Sequence, residues 1–229
     1  PTSGNQTFGG YRLVFEGTTP SLLLKTVNAT LTIGRLTVKA DAQADIIAGD
    51  TATFTLAGSD WQVEEGAVLG LCASIETNGR NIVCSAAISG AGTVAVIGSG
   101  AYNGTVTLSG DLSGFTGKLH AAMPKLSTIA GAYGTANMKP ASHTLIIGAA
   151  SAFPTATPDN DIVADAVTVP DGATLSFSCD VTSPANRGWD LGSGAAPTIC
   201  VDAGHTVTVL GPVSGSAGFS KTGDGTLVL

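Results

Sequence analysis

The sequence has little charge and few aromatic rings, with 12% charged and 5% aromatic residues against 43% hydrophobic ones. A chain so apolar and so weakly charged has enough to bury, which argues against intrinsic disorder. It contains no apolar run near the ~18 residues a membrane-spanning helix needs. Basic residues are scarce: ten in all, scattered singly from Arg12 to Lys221, so nothing forms the electropositive footprint that nucleic acid requires. The net charge of −7 is spread along the chain, keeps an apolar protein soluble and names no substrate. No charged-then-apolar leader opens the chain at Pro1, so an exported protein is expected to be represented here by a mature or excised portion. Helical periodicity is equally hard to find.

Glycine is abundant, at 31 residues, and short apolar stretches alternate with Thr or Ser before ending at Gly, Asn or Asp. That pattern predicts strands of four to seven residues. Examples are Tyr11 to Phe15, Leu31 to Ile33, Thr51 to Leu56, Thr93 to Ile97, Thr105 to Leu108, Thr174 to Phe177 and Thr206 to Leu210. Several blocks recur in order. Ala29-Thr-Leu-Thr-Ile-Gly34 returns as His143-Thr-Leu-Ile-Ile-Gly148, and Asp45-Ile-Ile-Ala48 as Asp161-Ile-Val-Ala164. Val63-Glu-Glu-Gly-Ala-Val-Leu69 returns as Val169-Pro-Asp-Gly-Ala-Thr-Leu175, Ile88-Ser-Gly as Val213-Ser-Gly, and Gly104-Thr-Val-Thr-Leu108 as Gly225-Thr-Leu-Val-Leu229. The order predicts two degenerate repeats: residues 1–122, then a Pro-containing, loop-rich insertion over 123–158, then the remainder of the second repeat over 159–229.

The four cysteines lack the C-x-x-C pairs and neighbouring histidines of a zinc site. Cys72 and Cys84 follow the first Val-x-x-Gly-Ala-x-Leu block, and Cys179 and Cys200 follow the second. Disulfides Cys72–Cys84 and Cys179–Cys200 are therefore expected, and with them an oxidising compartment.

Short strands with Gly, Asn or Asp corners fit a β-sandwich or a right-handed parallel β-helix. Repetition favours the helix, in which coils of roughly 20 residues stack so that Val, Leu and Ile form inward ladders while Thr and Ser face out. The paucity of aromatics fits the same narrow core, whereas a sandwich packs a large ring between its sheets.

At its C-terminal end the chain reads Val169-Pro-Asp-Gly-Ala-Thr-Leu175, and later Val213-Ser-Gly-Ser-Ala-Gly-Phe-Ser-Lys-Thr-Gly-Asp-Gly-Thr-Leu-Val-Leu229. These segments resemble the autotransporter-associated β-strand repeat of bacterial surface proteins, approximately V-x-x-G-A-T-L followed by I-S-G-S-G-G-L-x-K-T-G-x-G-T-L-x-L. Thr107-Leu-Ser-Gly-Asp-Leu-Ser-Gly-Phe-Thr-Gly117 resembles a continuation of that pattern. The cysteines and the 123–158 segment depart from it. The resemblance implies a right-handed β-helix, export across the envelope and a passenger role at the cell surface or after release, with membrane contact only through a barrel outside this chain.

Chemistry-bearing residues are sparse. Asp159, Asp161 and Asp165 form the densest acidic set and Glu64-Glu65 the next. A carbohydrate-active enzyme would need such carboxylates to converge with a basic residue; the expectation is that they serve turns and strand edges. His120, His143 and His205 are scattered, no Ser sits in a G-x-S-x-G elbow, and no cofactor or metal is called for. Trp61 and Trp189 are candidate glycan platforms, with packing the blander role. Asn5, Asn28 and Asn103 begin N-x-T sequons that matter only in a glycosylating host. Leu227, Val228 and Leu229 form an apolar end suited to head-to-tail stacking. These readings converge on a non-catalytic structural or adhesive module that associates with itself or with a host or matrix surface. A glycan-binding module or a polysaccharide lyase or glycosidase is the alternative.

Overall fold

The structure, a computed structural model, describes residues 6–17, 21–24, 30–48, 53–74, 80–98, 104–124, 143–155 and 161–229. It is all-β: parallel sheets wind into a β-solenoid. Each turn lays a strand in a first wall, rounds a corner into a second wall, rounds another into a third, and rises to begin again. In the first wall Thr53–Ala57, Arg80–Cys84, Gly104–Leu108, Thr144–Ile147, Thr174–Phe177, Thr198–Val201 and Ser220–Thr222 pair in succession, all parallel. In the third wall the order runs from Ser21–Leu24 through Gln43–Ala48, Val68–Ser74, Thr93–Gly98, Lys118–Pro124, Val163–Thr168 and Arg187–Asp190 to Val213–Ser214. Parallel pairing throughout excludes the sandwich alternative, whose sheets are antiparallel.

Strand alternation explains the core. Side chains at i and i+2 share a face, so in Gly104–Leu108 and Arg80–Cys84 every second residue is buried. In register, Phe54, Ile82, Val106, Leu145, Leu175 and Ile199 stack as one buried ladder. Leu56, Cys84, Leu108, Ile147, Phe177 and Val201 form a second. Each aliphatic rung contributes about 1.5–3 kcal/mol of burial, and intervening Thr residues such as Thr105, Thr144 and Thr174 stand at the outer, half-buried positions. Most turns take more chain than the roughly 20 residues expected of a coil. Partners in adjacent turns range from Thr206 opposite Thr226 to Leu119 opposite Val167, because corners of unequal length are inserted between the rungs.

Corners are tied to the turn before them by serine. Ser85 donates both its N–H and its hydroxyl to Leu56 O, Ser109 does the same to Cys84 O, and Ser178 to Ile147 O. A residue just past the end of a first-wall strand thus extends the backbone ladder and adds a side-chain bond to the same carbonyl.

Among the described residues the second wall is interrupted. Asp60–Val63 pairs with Ile88–Gly90, and Phe115 adds one bridge to Gly90. The wall resumes as a separate three-stranded sheet of Val181–Ser183, Thr206–Val209 and Thr226–Val228. Between these stands the turn of Thr144–Ile147, where the described chain forms a 3-10 turn at Ala150–Ala152 instead of a second-wall strand. Two devices fill the break. Phe153, Phe177 and Trp189 pack ring to ring with centroids 6.0–6.3 Å apart. Arg187, fully buried, donates to Thr116 O at 3.2 Å and to Gly117 O, two turns back. The guanidinium thereby satisfies two buried backbone carbonyls. Burial brings its pKa down to about 10, so it stays cationic at neutral pH.

Three expectations change. Neither predicted disulfide forms: no two of the four sulfurs lie at disulfide distance. Cys72 clusters with Ala95 and Ile97 while its neighbour Leu71 lies in the main core, so Cys72 is on the far side of the third wall from the lumen, where Cys84 sits. Cys179 packs against the core from a corner and donates to Ile147 O at 3.5 Å; Cys200 alternates with buried Ile199 and Val201 and points outward. Opposite faces of a strand cannot bring sulfurs together. Within 123–158, Thr144–Ile147 is a regular rung and not part of a loop; residues 125–142 and 156–160 lie outside the described ones. The recurring blocks also change walls. Ile88-Ser-Gly is in the second wall and Val213-Ser in the third; Gly104–Leu108 is in the first and Thr226–Val228 in the second sheet of its turn. What recurs is a strand-and-corner unit that serves any wall.

Candidate functional site: a polar groove at the first corner

Most of the singled-out residues hold the solenoid together. Trp61 and Trp189 are 0% and 1% exposed, and their indole N–H groups donate to Ile33 O at 2.7 Å and Ser183 Oγ at 3.1 Å. Neither presents a ring face to a glycan. Asp159 lies outside the described residues, and Asp161 is exposed ahead of Val163–Thr168. Glu64 accepts from Lys39 Nζ at 2.9 Å and Ala40 N at 3.0 Å, bonds that hold its carboxyl below the usual range, and Glu65 is exposed in the adjacent corner. The sequons at Asn5, Asn28 and Asn103 fall outside the described residues.

The three histidines occupy three different places. His143, fully buried where the chain enters the first wall, accepts from Gly104 N at 3.3 Å through Nδ1, and its Nε2 has no partner. His205 Nδ1 stands 3.6 Å from Asp180 at an outer corner. His120 shares the outer face of the third wall with Lys118, which binds Asp165 at 2.7 Å. Burial chiefly lowers the His120 pKa, with Lys118 acting the same way and the Ala122 backbone bond, Asp165 and Asp190 opposing it. Asp165 therefore does meet a basic residue, in a partly exposed ion pair. Among the described residues, no three His, Cys, Asp or Glu side chains are placed to hold a metal ion. Burial raises the Cys84 thiol to about 11, and burial with Asp180 raises that of Cys179, so neither is a ready thiolate. Leu227 packs partly on the core, while Val228 and Leu229 are exposed.

A concavity arises where the sequence offered no motif. Successive corners between the first and second walls lengthen. Thr30–Val38 crosses this corner as a continuous strand; the next corners are 58–59, 85–87 and 109–114. Each longer corner overhangs its predecessor, and the step encloses a groove of about 250 Å3 lined by Ser59, Asp60, Trp61, Ala87, Ile88, Ser89, Asp111, Ser113 and Gly114. Its floor is rigid, because Trp61 N donates to Ala87 O at 3.0 Å and Ile88 N to Asp111 O at 2.8 Å.

The polar groups of the groove are mainly acceptors. Asp60 is ion-paired with Arg12, which also donates to Thr37 Oγ1 at 2.8 Å. Asp111 accepts from Ser113 N at 2.9 Å, and the Ser113 N–H and hydroxyl lower its pKa, so it is a carboxylate at neutral pH. Ser59 and Ser89 donate their hydroxyls to Gly34 O and Trp61 O, which leaves their oxygen lone pairs open. Corner length marks this site once the turns are stacked: Ser59, Asp111 and Ser113 sit in corners that grow from turn to turn.

Comparison with known proteins finds no matching family model, no similar curated protein and no similar solved structure.

Proposed function

We propose that this chain is a non-catalytic structural module of a bacterial surface or secreted protein, a stretch of solenoid that carries corners and loops away from the cell. One observation supports this reading most: the segment resembling the autotransporter-associated repeat is built as a rung of the solenoid. In Lys221-Thr-Gly-Asp-Gly-Thr-Leu-Val-Leu229, Lys221 Nζ donates to Gly223 O and Gly225 O, clamping its own corner. Gly223 has φ +74°, and a Cβ there would stand 2.2 Å from Val201 O of the turn below, so the corner demands glycine. The motif is thus explained as stacking chemistry.

Association with a second copy belongs to the same proposal. Among the described residues, Ser220–Thr222 and Thr226–Val228 have a strand neighbour on one side only, and Val228 and Leu229 are 44% and 66% exposed. Gln6–Phe15, at the other extreme, is likewise paired on one side and exposes Phe8, Tyr11 and Val14. Parallel strand addition between these edges would continue the ladder.

Immunolabelling of intact source cells with an antibody raised against this chain tests the display role. Labelling without permeabilisation is expected; labelling only after permeabilisation overturns it. Sedimentation over a range of concentrations is expected to show reversible oligomers, and a strict monomer removes the self-association. Release of reducing ends from a polysaccharide panel would instead revive the lyase or glycosidase reading.

A further inference from the structure

We propose that the groove at the first corner is a binding site for a single uncharged sugar ring. A sugar ring offers hydroxyl donors around its rim and C–H groups on its faces. The groove matches both, with carboxylates and serine oxygens at its edge and Ala87 and Gly114 among its lining. At about 250 Å3 it is smaller than the pockets that enclose drug-sized ligands, which suits one ring and not an extended chain.

Two carboxylates against one guanidinium disfavour an anion, and the pairing of Asp60 with Arg12 leaves Asp111 to accept hydrogen bonds from a neutral ring; a cation is the competing ligand that the titration tests. A carboxylate with a free acceptor position binds adjacent sugar hydroxyls by charge-assisted hydrogen bonds, the strongest contacts available here. Preorganisation supports the same reading: Asp60, Asp111, Ser59 and Ser89 are each held by a bond that does not involve ligand. The proposal stands apart from the display role, since a solenoid can be displayed without this site and the site can bind sugar in any compartment.

The test is an amide-resolved NMR titration of the 229-residue chain with methyl glycosides of glucose, galactose, mannose, fucose and N-acetylglucosamine, and with cadaverine as a cationic probe. At least one glycoside is expected to shift amides within 58–61, 87–89 and 111–114 while cadaverine does not. Asp111→Asn is expected to weaken binding about tenfold, the loss of one charge-assisted bond. Gly114→Tyr is expected to abolish binding by filling the groove. A Cβ at Gly114 meets only Ser89 Cβ at 3.8 Å, so that variant keeps its fold, which its spectrum verifies directly. The proposal fails if no glycoside shifts these amides, if binding survives Gly114→Tyr, or if cadaverine alone produces the shifts.

Discussion

The solenoid closes its corners in two ways, one on each side of the break in the second wall. Before the break, long side chains of opposite charge reach across turns: Lys39 to Glu64 of the next turn, and Arg12 to Asp60 two turns on. After it, short aspartates bind backbone N–H groups of the next turn, Asp171 to Gly194 at 2.9 Å and Asp180 to Thr206 at 2.7 Å. Glycines at positive φ, among them Gly192, Gly204, Gly215 and Gly223, crowd the same region. The difference teaches where corner stability comes from. Exposed ion pairs are screened and flexible, whereas an Asp–backbone bond replaces a ladder bond that the turning chain cannot make.

Four predictions probe this contrast, beginning with the joint between the two parts. Replacing Arg187 with Ala removes a costly buried charge, but it also orphans the carbonyls of Thr116 and Gly117 and opens a large cavity. The second pair of effects wins, with a loss of about 3 kcal/mol or more. Calorimetry should then show the stretch before the break and the stretch after it melting separately, and a single transition at unchanged temperature would refute the bridging role. Leu145→Ala, in the rung beside the break, should cost about 2–5 kcal/mol in urea unfolding through the cavity it leaves in the ladder.

The third prediction concerns pH. Burial lowers the His143 pKa in the folded state below its ordinary value of 6.5. The unfolded chain therefore binds more protons just below pH 6.5, so stability rises with pH through that window and is lost as pH falls below it. His120 acts with the same sign. Thermal melts between pH 7 and pH 5 should show the loss, and His143→Gln should flatten it; an unchanged slope in that variant would place the effect elsewhere. The smallest effects separate the two kinds of corner. Asp171→Ala should cost about 1 kcal/mol at any salt concentration, while Glu64→Gln should change stability within experimental error, and only at low salt.

Much of the fold was legible because period-2 alternation is local. Thr-x-Thr-x stretches such as those in Gly104–Leu108 and Thr206–Val209 declare which side chains face inward before any partner is known. The cysteine pairings failed on that same rule: Cys72 and Cys84 are close in sequence, but alternation and a change of wall put them on opposite faces. The choice between packing and glycan-platform readings of the tryptophans needed the structure, because exposure is decided by the stacked turns that cover both rings; Ile33 O and Ser183 Oγ accept from their N–H groups. The groove was hidden for a related reason. Asp60, Ser89 and Asp111 are meaningless until three corners of different length lie one above another.

By itself, then, the sequence determined the strands, their inward faces and the corner chemistry, all of which depend on neighbours a few residues away. Tertiary structure alone decided the wall each strand joins, the break that Arg187 bridges and the groove at the first corner. These depend on which turns stack in register, and contacts 25 to 71 residues apart arise only once the chain has wound back upon itself.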